Sequence, residues 1–164
     1  MWKNLNSFEQ LYGVVRSAAD LIRNGELGIG RPHYALTLLH GVLQSIMLDY
    51  KQIVAIEMGV QNGGGLIDLC KSAHYLSHQS GVGIQVYGFD NGVGLPKPNG
   101  YEDHPELWQE GDFKGSDFDQ LPSTLPAFAH LIIGDVKQTV PRFKDRILGE
   151  RIAMVALDRA GPSF

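Results

Sequence analysis

The chain has 164 residues, a formal net charge of −4 and a sequence isoelectric point near 5.8, with 43% hydrophobic and 20% charged residues. That is enough for one domain with its own buried core, and the acidic balance argues against a dedicated nucleic-acid binder, which carries a basic face. A single cysteine, Cys70, excludes an intrachain disulfide and suits a reducing compartment. No apolar run reaches the length of a membrane span, and Met1 to Asn4 lead into an amphipathic pattern and not a signal-peptide core. The expectation is a cytoplasmic protein with neither a nucleic-acid nor a membrane partner.

In chain order, Ser7 opens a helix with Gln10 as its capping-box partner. Phe8, Leu11, Tyr12, Val15, Ala18, Ala19 and Ile22 make its apolar stripe, and Gly25 and Gly28 stop it. A second helix is expected from about His33 to Asp49, with Pro32 near its first turn, where a missing N–H costs least. Residues 1–50 thus read as an N-terminal helical segment packed on a domain formed by residues 51–164, and the segment carries no obvious chemistry.

Lys51 to Val60 read as the first strand: the apolar run Ile53 to Ile56 is followed by Glu57 and by a loop with Gly59, Gly63, Gly64 and Gly65. Glycine lets such a loop turn sharply and approach a ligand. Leu66, Ile67, Leu69, Cys70, Ala73 and Leu76 then follow helical spacing from Gly64 to about Gln79, and Gly81 ends the helix. Strand, acid, glycine loop and helix make a nucleotide-type cradle at the carboxyl end of a strand. Cys70 falls on the apolar stripe and reads as a small buried hydrophobe. His74 and His78 share a helix face, but no third ligand stands at suggestive spacing, so a solvated face is the simpler reading.

Gly83 to Asp90 read as the second strand. A carboxylate at its end can accept hydrogen bonds from ribose hydroxyls, and Asp90 lies 25 positions past Gly65, close to the roughly 20 known for that role. The same carboxylate can instead cap the turn Asn91–Gly92. Residues 91–127 are rich in glycine and proline but hold Tyr101, Trp108, Phe113 and Phe118, too aromatic for a disordered linker. They read as a lid-like insertion with short helices near Pro105 to Gln109 and Ser116 to Pro122, and His104 as a substrate contact. A third strand is expected over Ala129 to Val136. The next helix is expected to be capped by Thr139, with Pro141 in its first turn, and a fourth strand covers Ile152 to Leu157, followed by Asp158. Alternating strands and helices with near-continuous apolar strands imply an α/β fold: a Rossmann-like parallel sheet of about four strands, helices on both faces.

Four motifs in order resemble class I S-adenosylmethionine-dependent methyltransferases, and more narrowly the macrocin O-methyltransferase group with its relatives labelled cephalosporin hydroxylases. They are Glu57-Met58-Gly59-Val60-Gln61-Asn62-Gly63-Gly64, Tyr87 to Pro96, Gly134-Asp135-Val136-Lys137-Gln138-Thr139-Val140-Pro141, and Ile152 to Asp158. The resemblance implies the strand order 3-2-1-4 and S-adenosylmethionine as cofactor, with methyl transfer to a hydroxyl of a sugar or other small molecule. It places Gly59, Gly63 and Gly64 along the methionine part, Glu57 orienting the loop, Asp90 on the ribose, and Asp135 and Val136 near the adenine. It makes Asp158 a ligand for Mg2+ in metal-dependent members, where the cation would hold a substrate diol.

The family's second Asp, a general base, falls at Ala160, and Gly161 to Phe164 do not match the residues that follow it. A full family sheet has seven strands where this chain supplies four, so a C-terminally truncated chain is expected, its catalytic residues unassigned. The fourth strand would then be an open apolar edge, and a homodimer through it is expected. Two other readings stand beside this one: a cofactor-binding or interaction module without activity, and an NAD-dependent oxidoreductase. The latter is disfavoured because Gly59 is not followed by the Gly-x-Gly-x-x-Gly spacing that seats a pyrophosphate.

Overall fold

The computed structural model describes residues 28–147 and 149–157, together with Glu9, Tyr12, Gly13, Val15, Arg16 and Asp20. Most of the first expected helix lies outside the described residues, as do Leu148 and Asp158 with the tail after it. Helix α1 spans Pro32–Met47 and buries Tyr34, Ala35, Leu38, Leu39 and Val42. Strand β1, Gln52–Met58, is buried from Ile53 to Glu57. Helix α2 covers Gly64–Ser80, entered through Gly63 and left through Gly81, both in the left-handed conformation. Strand β2 covers Gly83–Asp90. The short helix α3, Leu121–Thr124, precedes strand β3, Ala129–Ile133. Helix α4, Val136–Arg146, and strand β4, Ile152–Leu157, complete the described fold.

The sheet order is β3-β2-β1-β4 with every pairing parallel. Central β1 is therefore enclosed on both edges, which is why its run from Ile53 to Glu57 has no exposed residue. One face of the sheet packs Ile53, Ala55, Ile84, Val86, Met154 and Ala156 against α1 and α2 in a single core. Gly41 lets α1 come down on β4, since a Cβ there would stand 2.7 Å from the Ala153 Cβ. The other face gathers Val54, Ile56, Tyr87 and Phe89 around Phe143 of α4, whose ring meets those of Tyr87 and Phe89 edge-on at 4.8 and 5.0 Å. Along β4 that second face is open: Ile152, Val155 and Leu157 are 49%, 47% and 60% exposed.

Three local expectations are corrected. Strand β3 stops at Ile133, and Asp135 caps α4 by accepting the Lys137 N–H at 2.9 Å. The helix thus begins four residues before the position expected, with Pro141 inside it. Aspartate is a strong N-cap, and it follows the turn at Gly134 directly, so it captures the helix start ahead of Thr139. Thr139 donates its hydroxyl back to the Asp135 carbonyl at 3.1 Å. Residues Pro105 to Gln109 form hydrogen-bonded turns and no helix: the His104 carbonyl accepts both the Leu107 and the Trp108 N–H, at 2.8 and 3.0 Å. The second short helix is present as a 3-10 turn, Phe118–Gln120, running into α3.

Candidate functional site: a cavity at the carboxyl edge of the sheet

A cavity of about 700 Å³ opens where β1 and β2 end. Its wall includes Met58, Gly59, Val60 and Gln61 from the glycine loop, and Phe89, Asp90 and Asn91 from the end of β2. Gly134, Asp135, Val136 and Lys137 contribute from the start of α4. Such a cleft suits a nucleoside-sized ligand, whose pockets run about 300–1,000 Å³.

The loop is shaped by left-handed residues: Gly59 has φ 90° and Gln61 φ 51°. Gln61 is not glycine, so its conformation needs outside support. Asp90 supplies it. Its Oδ2 accepts the Val60 N–H at 2.7 Å and the Gln61 N–H at 2.9 Å, while Oδ1 accepts the Gly92 N–H at 2.8 Å. The carboxylate therefore fastens the loop after β1 to the end of β2 and also makes the Asn91–Gly92 turn. An ionised carboxylate offers about four acceptor positions, so Oδ1 keeps room for a ligand hydroxyl at the cavity wall.

Glu57 lies behind the loop with its side chain 1% exposed. Its Oε1 accepts the Tyr34 hydroxyl at 2.9 Å, and the Arg31 Nη1 stands 3.7 Å away. Its Oε2 is buried without a hydrogen-bond partner among the described residues. Burial, against the favourable Tyr34 hydrogen bond and the Arg31 charge, pushes the acid up to about 7. Folding thus favours the neutral form, and this group withdraws stability as pH rises from about 4.5 towards about 7. The same environment pushes the Tyr34 phenol up to about 12, by burial first and then by the Glu57 charge.

Arg31 lines the cavity, and sequence reasoning gave it no role. It sits at the end of a strap tied to α2: Gly30 donates its N–H to Asp68 Oδ2 at 2.8 Å, and Lys71 donates to the Gly28 carbonyl at 2.9 Å. These contacts span about forty residues of sequence. The available signal was Tyr34 on the buried stripe of its helix, a phenol in need of a buried partner.

Of the expected site residues, Gly59, Asp90, Asp135 and Val136 line the cavity, while Glu57, Gly63 and Gly64 do not. Gly63 caps α2 and is packed against the Leu121 side chain. His104 is away from the cavity wall and its Nδ1 lies 3.0 Å from Glu106 Oε1. Asp158 lies outside the described residues, and among the described residues no group of three or more His, Cys, Asp or Glu side chains is placed to hold a metal. Cys70 is buried, its thiol pushed up to about 12 by desolvation and then by Glu57, so it is inert as a nucleophile. No helix among the described residues is long and apolar enough to cross a membrane.

The 91–127 insertion supplies the outer wall through Val93, Gly94, Leu95, Pro96 and Phe113. It is pinned within itself, Leu95 exchanging hydrogen bonds with Asp112 and Gly111 at 2.7 and 2.9 Å. It is also pinned to the glycine loop, where Ser116 donates its N–H to Asn62 Oδ1 at 2.8 Å. Gly115 makes that approach possible, because a Cβ there would stand 2.6 Å from the Gln61 carbonyl oxygen. Gly115→Ala is expected to lift the insertion off the loop, at a cost of about 1–3 kcal/mol. Faster amide exchange at Ser116 together with a lowered Tm would report it; unchanged protection at Ser116 would rule this anchor out.

An open, all-parallel sheet in the order 3-2-1-4, with helices on both faces and a cavity over the central strands, is the Rossmann-like α/β arrangement. No family model matches the chain, and no curated protein matches it in sequence. Among solved structures it is similar to the crystal structure of CalS11, a calicheamicin methyltransferase, with a TM-score of 0.57 at 20% identity over 96% of this chain and 69% of that one. At that identity the likeness establishes the fold.

Proposed function

We propose that the chain binds S-adenosylmethionine and serves as a methyltransferase, or as the cofactor-binding part of one, acting on a hydroxyl of a sugar or other small molecule. The supporting observation is the Asp90 carboxylate, which fastens the glycine loop through the Val60 and Gln61 amides, lines the cavity and has one of its about four acceptor positions unused by these three amides. The residues present suit such a cofactor. Gly59 brings bare backbone to the cavity, Asp90 offers a ribose acceptor, and Asp135 and Val136 form the wall where a base would lie. When bound, the cofactor supplies an activated methyl group. The chain's own part is to hold it in line with the acceptor and to exclude water. The insertion, with Leu95, Pro96 and Phe113 on the cavity, acts as the lid. Asp90 and Asp135 both serve local backbone structure, so neither is assigned as a base.

Calorimetric titration with S-adenosylhomocysteine and, separately, with NAD tests this reading. Binding of the first and not of the second is expected. Binding of NAD alone would replace it with the oxidoreductase reading.

A further inference from the structure

We propose that Glu57 reads the charge of the ligand in the cavity: as a carboxylate it favours the cationic sulfonium nucleoside over the neutral thioether left after methyl transfer, and it gives up a proton when the cation arrives. The inference rests on the cofactor reading above and concerns how that site tells its substrate from its product.

The geometry sets Glu57 on a balance point. It belongs to β1, and the next two residues, Met58 and Gly59, are already cavity wall. From α1 and the strap before it, the Tyr34 hydroxyl and the Arg31 guanidinium face it and favour its charged form. From α2 and β2, the Asp68 and Asp90 carboxylates oppose ionisation. The Cys70 thiol also lies within its electrostatic reach from α2. The neighbour on β4 is Ala156, which brings no charge. The Oε2 atom, buried and without a partner among the described residues, leaves the carboxylate under-solvated. Burial outweighs the favourable partners and brings the acid to about 7, where a small added field decides its state. A sulfonium brings one full positive charge into the cavity, and its thioether product brings none.

Linkage requires the effect to run both ways: a cation that favours ionised Glu57 is itself bound more tightly when Glu57 is ionised. The proton passes from the carboxyl O–H to buffer, and no bond to the ligand forms.

The experiment is calorimetry of the full chain with S-adenosylmethionine and with S-adenosylhomocysteine, at pH 6.0 and 7.5, in two buffers of different ionisation enthalpy. Proton release is expected with the first ligand and not with the second. For a roughly tenfold preference of the cation for the ionised acid, the size of one charge pair at partly screened range, and an acid at about 7, the ratio of their affinities should rise about fourfold between the two pH values. In Glu57→Gln the ratio should lose the part of this rise that belongs to the protein. Tyr34→Phe, which removes a hydrogen bond that favours the carboxylate, should move the midpoint to higher pH. Should Glu57→Gln not fold, the wild-type proton count with the two ligands and the Tyr34→Phe midpoint still decide. Two ligands that bind with the same proton count and a pH-independent ratio would overturn the charge reading while leaving cofactor binding standing. Binding of neither would remove the cofactor reading itself, and this inference with it.

Discussion

Replacing Asp90 with alanine is expected to abolish nucleoside binding and to lower unfolding stability by about 2–4 kcal/mol. The two losses have one cause. The carboxylate accepts the Val60, Gln61 and Gly92 amides at 2.7–2.9 Å, and alanine strands all three at a partly buried loop. Gln61 then has no reason to keep its φ of 51°, and the wall next to Gly59 relaxes. Asp90→Asn keeps one acceptor oxygen and should lose roughly half as much stability, since a neutral acceptor makes weaker bonds than an ionised one. Urea unfolding measures the first effect. Titration with S-adenosylhomocysteine at low temperature, where the variants remain folded, measures the second. Unchanged binding in Asp90→Ala would remove the ribose role and leave only the structural one.

Gly65→Ala is expected to cost about 2–3 kcal/mol, although alanine is the better helix former by about 1 kcal/mol. The added Cβ would run into Glu57 Oε1 and stand 2.8 Å from Arg31 Nη1. Neither group can retreat freely: Glu57 is buried beneath Tyr34, and Arg31 ends a strap bonded to α2. Gly64→Ala is the matched control, because nothing stands within 4 Å of its Cβ position; it should be neutral or slightly stabilising. Equal denaturation midpoints for the two variants would show that contact with Glu57 is not what keeps position 65 bare.

The sequence made local structure legible, and its motifs implied the observed sheet order 3-2-1-4. Strands β2 and β4 begin and end where the apolar runs do, and Gly81 closes α2 as a left-handed cap. The start of α4 was misplaced because two capping residues compete within five positions and the choice depends on where β3 stops. Arg31 and Tyr34 were missed for a different reason. Their chemistry lies in reaching Glu57, more than twenty residues away, and no spacing rule inside α1 reports a partner on β1. The cradle was readable as a cradle. That its acid is the fastener of its own loop became visible only in three dimensions.

Strand pairing also orders events in time. β1 meets β2 across a single helix, so the β1–α2–β2 unit is a compact early piece whose contacts need only modest loop closure. β4 pairs with β1 about a hundred residues further along the chain, placing Ala156 beside Glu57. Contacts of that separation form late and slowly. Until β4 docks, β1 carries an open edge of the forming sheet. Burial of Glu57 beneath Tyr34 raises its proton affinity, so refolding at pH 6 should take up a proton in the kinetic phase that docks α1 on the sheet.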